Sequence, residues 1–208
     1  MCKISVAMTT YNGEKYIRGQ IESLMKQSRL PDEIIISDDA SNDNTIDIVS
    51  AVFNEYQYQN YKILKNKTNL GYKKNFYQSI ANTNGDIIFL CDQDDLWLED
   101  KIEVFEKLFL DNGMALSING SFVLIDAEDK ILDYICHRGF VNNDLLKGHY
   151  PEKQITKVSY DTVLRYNISP GCTMAFRREI KDIFLEGSTH ELPHDWEINL
   201  LAAMKGGL

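Results

Sequence analysis

The chain has 208 residues, 44% of them hydrophobic and 11% aromatic, which is enough to bury a substantial core in one large domain. Its formal net charge of -9 repels phosphate backbones and anionic lipid head groups, so nucleic-acid binding and electrostatic docking on a membrane lack their main driving force. The cysteines are widely separated and form no C-x-x-C pair, which argues against a zinc site or a disulfide framework and favours a reducing cytoplasm: Cys2, Cys91, Cys136 and Cys172.

The first half of the chain alternates short apolar strands with stretches of helical periodicity. Strands are predicted at residues 4–8, 33–37, 61–64 and 86–90. Behind each strand, apolar residues recur every three or four positions, which predicts helices with apolar faces at 17–25, 46–53, 72–80 and 102–109. Apolar strands joined by helices are typical of a mainly parallel sheet covered on both faces, so we predict an α/β fold.

The second half is less regular. Strands are predicted at 116–118, 122–125 and 172–176, with a turn at 126–129. Helices are predicted at 160–165, at 177–185 and from near Pro193 to the glycine pair at 206–207. Residues 134–157 carry little periodicity, and we interpret them as a long functional or mobile loop.

Unusual polarity follows the first, second and fourth predicted strands, at residues 9–13, 38–43 and 92–97. Ligands of open α/β sheets bind at the carboxyl ends of the strands, so these segments are the candidate binding site. The first lacks the G-x-G-x-x-G spacing, and no G-x-x-x-x-G-K-[ST] loop follows any strand. Dinucleotide dehydrogenases and P-loop enzymes are therefore disfavoured.

The carboxylates of Asp92, Asp94 and Asp95 follow the fourth strand directly. Residues two apart in an extended segment point to the same side, so Asp92 and Asp94 can converge on one hard cation, Mg²⁺ or Mn²⁺, that also binds a diphosphate. The alternative is a solvated acidic turn with an aspartate as a helix N-cap. The strongly apolar strand before the cluster and Trp97 after it favour the metal interpretation.

Several segments together resemble family 2 glycosyltransferases of the GT-A fold. They are 4–16 (ISVAMTTYNGEKY), 35–43 (IISDDASND), Asn69-Leu70-Gly71 and 86–97 (DIIFLCDQDDLW). Residues 171–177 (GCTMAFR) and His194-Asp195-Trp196 are similar to bacterial members that transfer rhamnose or related sugars in cell-surface polysaccharide synthesis. The resemblance implies metal-dependent, inverting transfer from a UDP- or dTDP-linked sugar to a saccharide or lipid-linked saccharide.

The same resemblance implies roles for individual residues. Asp94 of the D-x-D motif would contact the divalent metal, Mg²⁺ or Mn²⁺, and Asp92 the ribose or the metal and its bound water. Asp195 would be the general base. The remaining matched positions would contact the nucleotide sugar, the last two lining the sugar pocket: Thr9, Tyr11, Asn12, Asp39, Gly171 and Cys172.

Chemistry supports two of these roles, since Asp39 can accept a hydrogen bond from a pyrimidine N3–H and Tyr11 offers a ring for stacking. Alternatives stay open for each. Asp38 and Asp39 can instead start the second helix, Tyr11 can be core, and Asp195 can stabilise a helix macrodipole.

Other residues have two interpretations of their own. His194 either orients the acceptor or is structural, and the two tryptophans, Trp97 and Trp196, are either sugar-stacking platforms or core. Lys73 and Lys74 are candidates for the pyrophosphate, but a lysine pair is usually a solvated helix face, so we leave them out of the core site.

Two other function classes remain. A nucleotidyltransferase would show a glycine-rich, basic loop after the first strand, which residues 9–13 lack, whereas a non-catalytic nucleotide-sugar-binding module would keep Asp39 and Asp94. We expect one catalytic domain over 1–208, with a nucleotide-binding half at 1–98 and an acceptor-binding, catalytic half at 99–208.

The end of the chain departs from the family pattern. Related enzymes usually continue into a further strand and a histidine-bearing segment, so a chain ending at Leu208 is expected to be C-terminally truncated and to bind nucleotide sugar more readily than it turns it over. No apolar stretch is long enough to span a bilayer, which predicts a cytoplasmic protein, with the inner face of the membrane as a further location for a full-length form.

Overall fold

The first four strands and the helices between them form where the sequence predicts them. In a computed structural model that describes residues 2–132 and 154–208, they are β1 (Ile4–Thr10), α1 (Ile17–Met25), β2 (Glu33–Asp38), α2 (Thr45–Glu55), β3 (Tyr61–Lys65), α3 (Tyr72–Ala81), β4 (Ile87–Cys91) and α4 (Lys101–Asp111). The later elements are β5 (Ser117–Asn119), α5 (Tyr160–Arg165), a 3-10 turn (Gly171–Thr173), β6 (Met174–Arg177), α6 (Arg178–Gly187) and α7 (His194–Met204). Most of the predicted loop at 134–157 lies outside the described residues.

One mainly parallel sheet organises the chain, in the order β3-β2-β1-β4-β6-β5. Strands β1 to β4 are parallel, β6 is antiparallel to β4, and β5 is antiparallel to β6. The predicted α/β fold is confirmed. Because β6 runs the other way, its amino end and the preceding 3-10 turn lie at the same sheet edge as the carboxyl ends of β1, β2 and β4.

Alternate side chains of the central strands enter two apolar layers. On one face, residues such as Val6 and Phe89 pack with α1, α2 and α4. On the other face, Ala7 and Leu90 pack with α3, α6 and α7. Strands buried on both sides explain the near-continuous apolar runs in the sequence. With both faces covered, the polar strand ends are left for ligands.

Two details of the predicted elements are wrong. Within the part of the chain that the structure describes, residues 122–125 form no strand: Ile125 pairs with Ile131 in an isolated bridge around the turn at 126–129, and both Val123 and Ile131 are largely exposed. Apolar character alone does not make a strand where no packing surface covers it. The strand expected at 172–176 begins at Met174, because the three residues before it form the 3-10 turn.

The described helices are short, none longer than the 11 residues of α2, α4 and α7. Spanning a bilayer takes about 20 apolar residues. Within residues 2–132 and 154–208, then, no helix has both the length and the apolar character that a membrane crossing needs.

Candidate functional site

A cleft of about 340 Å³ opens at the carboxyl edge of the sheet. Its lining comes from the segments after β1, β2 and β4 and from the start of α3, as predicted for an open α/β sheet. Five predicted site residues lie on it: Thr9, Tyr11, Asp39, Asp92 and Asp94. The remaining lining residues are Thr10, Asn69, Gly71, Tyr72, Asn75 and Gln93.

Tyr11 borders the cleft with an exposed side chain, so it is not a core residue. Its backbone is held by Gln93, whose Oε1 accepts from the Tyr11 N–H at 2.8 Å and whose Nε2 donates to the Tyr11 carbonyl at 3.1 Å. The loop after β1 is thereby joined to the loop after β4. The ring of Tyr11 is left free to face a ligand.

Asp39 is buried and anchors the loop before α3. Its Oδ1 accepts from the Leu70 N–H at 2.7 Å and from Asn66 Nδ2 at 2.9 Å, while its Oδ2 accepts from the Gly71 N–H at 2.9 Å. Helix α2 begins only at Thr45. Asp39 is therefore not a helix-start residue, and Oδ2, with a single donor, keeps capacity for a further hydrogen bond.

The neighbouring carboxylate has a different environment. Asp38 accepts from the hydroxyls of Thr10 and Ser41 and from the Ser41 N–H, so its bonds are internal to the loops. Asp38 is not among the residues that line the cleft. Of the two adjacent aspartates, only Asp39 faces the site.

The acidic loop after β4 divides its carboxylates between two directions. Asp92 and Asp94 both line the cleft, with Asp94 exposed. Asp95 turns inward, where ligand atoms of Asp92, Asp95 and Cys172 lie within 4.8 Å of one another. The sequence predicted that Asp92 and Asp94 converge on one cation. In the structure the ligand atoms that lie closest together belong to Asp92, Asp95 and Cys172, and Asp94 is outside this group.

Burial and mutual repulsion dominate the electrostatics of this loop. Burial raises the pKa of Asp92 to about 7, with the charges of Asp95, Asp94 and Asp195 adding to the rise. The pKa of Asp95 is also raised, chiefly by burial and then by Asp94. Carboxylates gathered in this way are stabilised by a cation.

These donors suit a hard divalent cation. Oxygen atoms of Asp92 and Asp94 at the cleft match the ligand preference of Mg²⁺ and Mn²⁺. Asp95 supplies a further carboxylate whose Oδ2 is buried without a hydrogen-bond partner among the described residues. Burial raises the pKa of the Cys172 thiol well above its ordinary value, so it is protonated at neutral pH and is a poor metal ligand.

Lys101, at the start of α4, is a site-adjacent cation that the sequence analysis missed. Its Nζ donates to the Cys172 carbonyl at 2.7 Å and lies 3.8 Å from the centre of the Trp97 ring. Burial lowers the pKa of Lys101 to about 8, opposed by Cys91, Cys172, Asp95 and Asp92. Trp97 itself is buried against Phe89, so it is core and not a sugar platform.

Asp195 is the second residue of α7 and is buried beside the acidic loop, where its charge contributes to the raised pKa of Asp92. Its Oδ2 accepts from Asn167 Nδ2 at 3.0 Å, and its Oδ1 accepts from the Trp196 N–H at 2.8 Å. The carboxylate is thus oriented by two donors. Such an orientation suits a proton acceptor.

His194 packs beneath this region. Its ring stacks on Phe76 at 3.8 Å, and burial lowers its pKa to about 4, so it is neutral at physiological pH. A Cβ at Gly171 would lie 3.1 Å from His194 Nε2. The turn at Gly171–Thr173 therefore packs tightly against the start of α7, and a side chain at Gly171 would require the His194 ring to shift.

Four other candidates are not among the residues that line the cleft: Asn12, Lys73, Lys74 and Trp196. Asn12 joins two loops through its Oδ1, which accepts from the Asn42 N–H at 2.8 Å. Lys73 Nζ donates to the Glu191 carbonyl at 2.5 Å, and Lys74 is exposed on α3. The indole of Trp196 donates to the Val163 carbonyl at 2.6 Å and packs in a small apolar cluster.

Comparison with known proteins identifies the sequence pattern. Residues 5–184 match the model of the family described as "Glycosyl transferase family 2". A curated relative, the dTDP-rhamnosyl transferase RfbG of Shigella flexneri, is 38% identical over 121 residues, which cover 54% of this chain and 40% of the relative.

Solved structures share the fold. TarS 1-349 of S. aureus in complex with UDP superposes with a TM-score of 0.65 at 22% identity, covering 98% of this chain and 55% of that one. The mannosyltransferase PcManGT of Pyrobaculum calidifontis, in complex with GDP-Man and Mn²⁺, gives a TM-score of 0.64 at 18% identity, covering 94% and 50%. The chain spans about half the length of these proteins.

Proposed function

Because this chain belongs to glycosyl transferase family 2, we propose that it transfers a sugar from a nucleoside-diphosphate sugar to a saccharide or lipid-linked saccharide acceptor, with a divalent cation bound. The donor is UDP- or dTDP-linked, and the setting is bacterial cell-surface polysaccharide synthesis. The dTDP donor named for RfbG and the UDP bound to TarS support this choice of bases.

One observation carries the proposal. The base-side residues Tyr11 and Asp39 and the acidic residues Asp92 and Asp94 line a single cleft. Asp195 approaches the acidic end of that cleft closely enough for its charge to raise the pKa of Asp92. A nucleotide, its diphosphate and a reacting hydroxyl can therefore be held in that order along the sheet edge.

The cation site consists of Asp92 and Asp94, with Asp95 behind them. PcManGT, which shares the fold, is in complex with GDP-Man and Mn²⁺, and this supports a divalent ion bound together with the donor. When bound, the cation would offset the negative charge that develops on the departing diphosphate.

Asp195 is the proposed catalytic base. It takes the proton from the acceptor hydroxyl as that oxygen attacks the anomeric carbon and the bond to the diphosphate breaks. Asn167 donates to one carboxylate oxygen, which helps to hold the carboxylate in one orientation. A single direct displacement inverts the anomeric configuration. Thr9 and Asn12 contribute to the nucleotide side, Asn12 through the loop it secures, while Gly171 and Cys172 border the sugar.

The two halves of the chain contribute different parts of the proposed site. Residues 1–98 supply the nucleotide and cation side, and residues 99–208 supply Asp195 and the turn at Gly171–Thr173. A nucleotidyltransferase is disfavoured, since residues 9–13 carry no basic side chain. A non-catalytic binding module differs from the proposed enzyme only in turnover.

Calorimetry with UDP, dTDP and GDP, each with Mn²⁺ and with EDTA, tests the proposal. We expect one of the pyrimidine nucleotides to bind more tightly than GDP and to lose most of its affinity in EDTA. Failure of every nucleotide to bind with Mn²⁺ present would contradict the proposed donor class.

Asp39→Asn is expected to weaken UDP or dTDP by about tenfold, because it replaces a hydrogen bond to a charged group, worth about 1.5 to 3 kcal/mol, with one to a neutral amide, worth about 0.5 to 1.5 kcal/mol. Inorganic diphosphate should bind within about twofold of wild type by the same reasoning, since it makes no base contact. Asp38→Asn is the matched control, because the Asp38 carboxylate is bound internally. Equal losses for nucleotide and diphosphate would place Asp39 away from the base.

A further inference from the structure

Gln93 lies between Asp92 and Asp94 in the acidic loop, and its side-chain amide forms two hydrogen bonds with the backbone of Tyr11. Its Oε1 accepts from the Tyr11 N–H at 2.8 Å, and its Nε2 donates to the Tyr11 carbonyl at 3.1 Å. The two residues are 82 positions apart and follow neighbouring strands, β1 and β4. This paired contact is the direct link between the loop that carries Tyr11 and the loop that carries Asp92 and Asp94.

Gly13 leaves the space in which the Gln93 side chain sits. A Cβ on Gly13 would lie 2.6 Å from Gln93 Cδ and would also collide with Oε1. The backbone of Gly13 is not in the left-handed region, so glycine is needed here for room and not for conformation. Its N–H donates to Thr45 Oγ1 at 2.7 Å, which fixes the loop against α2.

Tyr11 depends on such outside support. Its side chain is exposed, so core packing does not hold the residue in place. Thr10 before it is held through Asp38, and Asn12 after it, with a φ of 47°, is held by Ser41 and Asn42. Gln93 is the partner that holds the Tyr11 backbone itself.

We propose that Gln93 is a positioning residue that fixes Tyr11 for contact with the nucleotide base and couples the base-binding loop to the cation-binding loop. The inference rests on the proposed function and deepens it. Gln93 carries no charge and both polar atoms of its amide are bonded to the Tyr11 backbone, so we expect it to add little attraction for diphosphate or cation. Gln93 affects binding by holding Tyr11 in place. The affinity for a ligand without a base should therefore not depend on Gln93.

Gln93→Ala and Gly13→Ala break the same contact from opposite sides. The first removes the amide; the second adds a methyl group that displaces it while leaving the amide in the protein. The bonds between Gln93 and the Tyr11 backbone are exposed, so in both variants these backbone groups can bind water and we expect the fold to be retained. A melting temperature near that of wild type verifies this.

The experiment measures binding of the pyrimidine nucleoside diphosphate preferred by wild type, and of inorganic diphosphate, each with Mn²⁺, to the two single variants and to Gly13→Ala/Gln93→Ala. Stacking of a base on an aromatic ring contributes about 1 to 3 kcal/mol, so we expect each single variant to weaken the nucleotide by about tenfold. Diphosphate should change by less than about twofold. The double variant should be no weaker than Gln93→Ala, because the methyl group then enters vacated space.

Three results would overturn the role of Gln93. Unchanged nucleotide binding in Gln93→Ala would mean that Gln93 does not position Tyr11. Equal losses of affinity for nucleotide and for diphosphate would mean that Gln93 acts at the cation site instead. Additive losses in the double variant mean that the two positions do not act through one contact. Wild-type protein that binds neither ligand would instead overturn the proposed function, which separates the two failures.

Discussion

Asp195→Asn is expected to lower sugar transfer by about 10² to 10⁴-fold while donor binding stays within about twofold, because a positioned general base contributes that much to the rate. The amide keeps the size of the carboxylate but cannot take the proton. Its Oδ1 can still accept from the Trp196 N–H. If the Asn167 amide turns over, the new Nδ2 can donate to Asn167 Oδ1, which is buried and has no hydrogen-bond partner among the described residues. The fold around α7 is therefore preserved.

Glu197→Gln is the matched control for this substitution. Glu197 also lies in the first turn of α7 and also contributes negative charge at the positive end of the helix. Its Oε2 accepts from the Ser188 hydroxyl at 2.8 Å, a contact that glutamine can keep. Loss of a helix-terminal charge costs only about 0.3 to 1 kcal/mol of stability. Rate and melting temperature should be recorded together for both variants.

Near-normal transfer by Asp195→Asn, or a loss that only follows the folded fraction, would make Asp195 a helix-start residue. His194 would be the next candidate for the base, although its pKa of about 4 makes it a weak proton acceptor at neutral pH. Donor binding without any transfer in wild type would favour the binding-module alternative.

Asp94→Ala is expected to weaken Mn²⁺-dependent nucleoside diphosphate binding by more than about tenfold. A solvent-exposed charge pair contributes about 0.2 to 1 kcal/mol, which corresponds to about fivefold at most, so a larger loss identifies a direct metal ligand. In EDTA the variant and wild type should bind equally weakly. Asp100→Ala provides the control, since Asp100 is an exposed acid on the same loop whose side chain makes no capping bond.

Equal nucleotide affinity with EDTA and with Mn²⁺, in wild type and Asp94→Ala alike, would remove the metal from the proposal. If Asp100→Ala loses as much nucleotide affinity as Asp94→Ala, both losses would come from long-range electrostatic attraction and not from metal coordination. Isothermal titration at low and at high ionic strength distinguishes these results, because added salt screens the general charge effect and leaves direct coordination largely intact.

Local periodicity was sufficient to predict the α/β half of the molecule. Strands β1, β2 and β4 are buried almost throughout, so their runs are mainly apolar and their polar ends mark the edge of the sheet where the cleft opens. The partly exposed segment at 122–125 shows the limit of this argument. Its residues have strand composition, but among the described parts of the chain only a single bridge pairs them.

The candidate site was predictable where residues are close in sequence and less so where the fold brings distant ones together. Asp92 and Asp94 follow from a strand end, but the approach of Cys172 to Asp92 and Asp95 depends on β6 running antiparallel to β4. The role of Lys101 depends on the same reversal, since it binds the Cys172 carbonyl. Adjacent Asp38 and Asp39 were likewise indistinguishable until their hydrogen-bond partners separated them.

The raised pKa of Asp92 means that this carboxyl group holds a proton for much of the time near neutral pH. A cation arriving at the acidic loop stabilises the charged form and so displaces that proton. Binding of the proposed cation at Asp92 would therefore release a proton, and it would become more favourable as pH rises toward about 7 and nearly independent of pH above it. Without the cation, protonation of Asp92 relieves part of the repulsion among the clustered carboxylates. In the proposed site, the cation would replace that proton and neutralise the same charges.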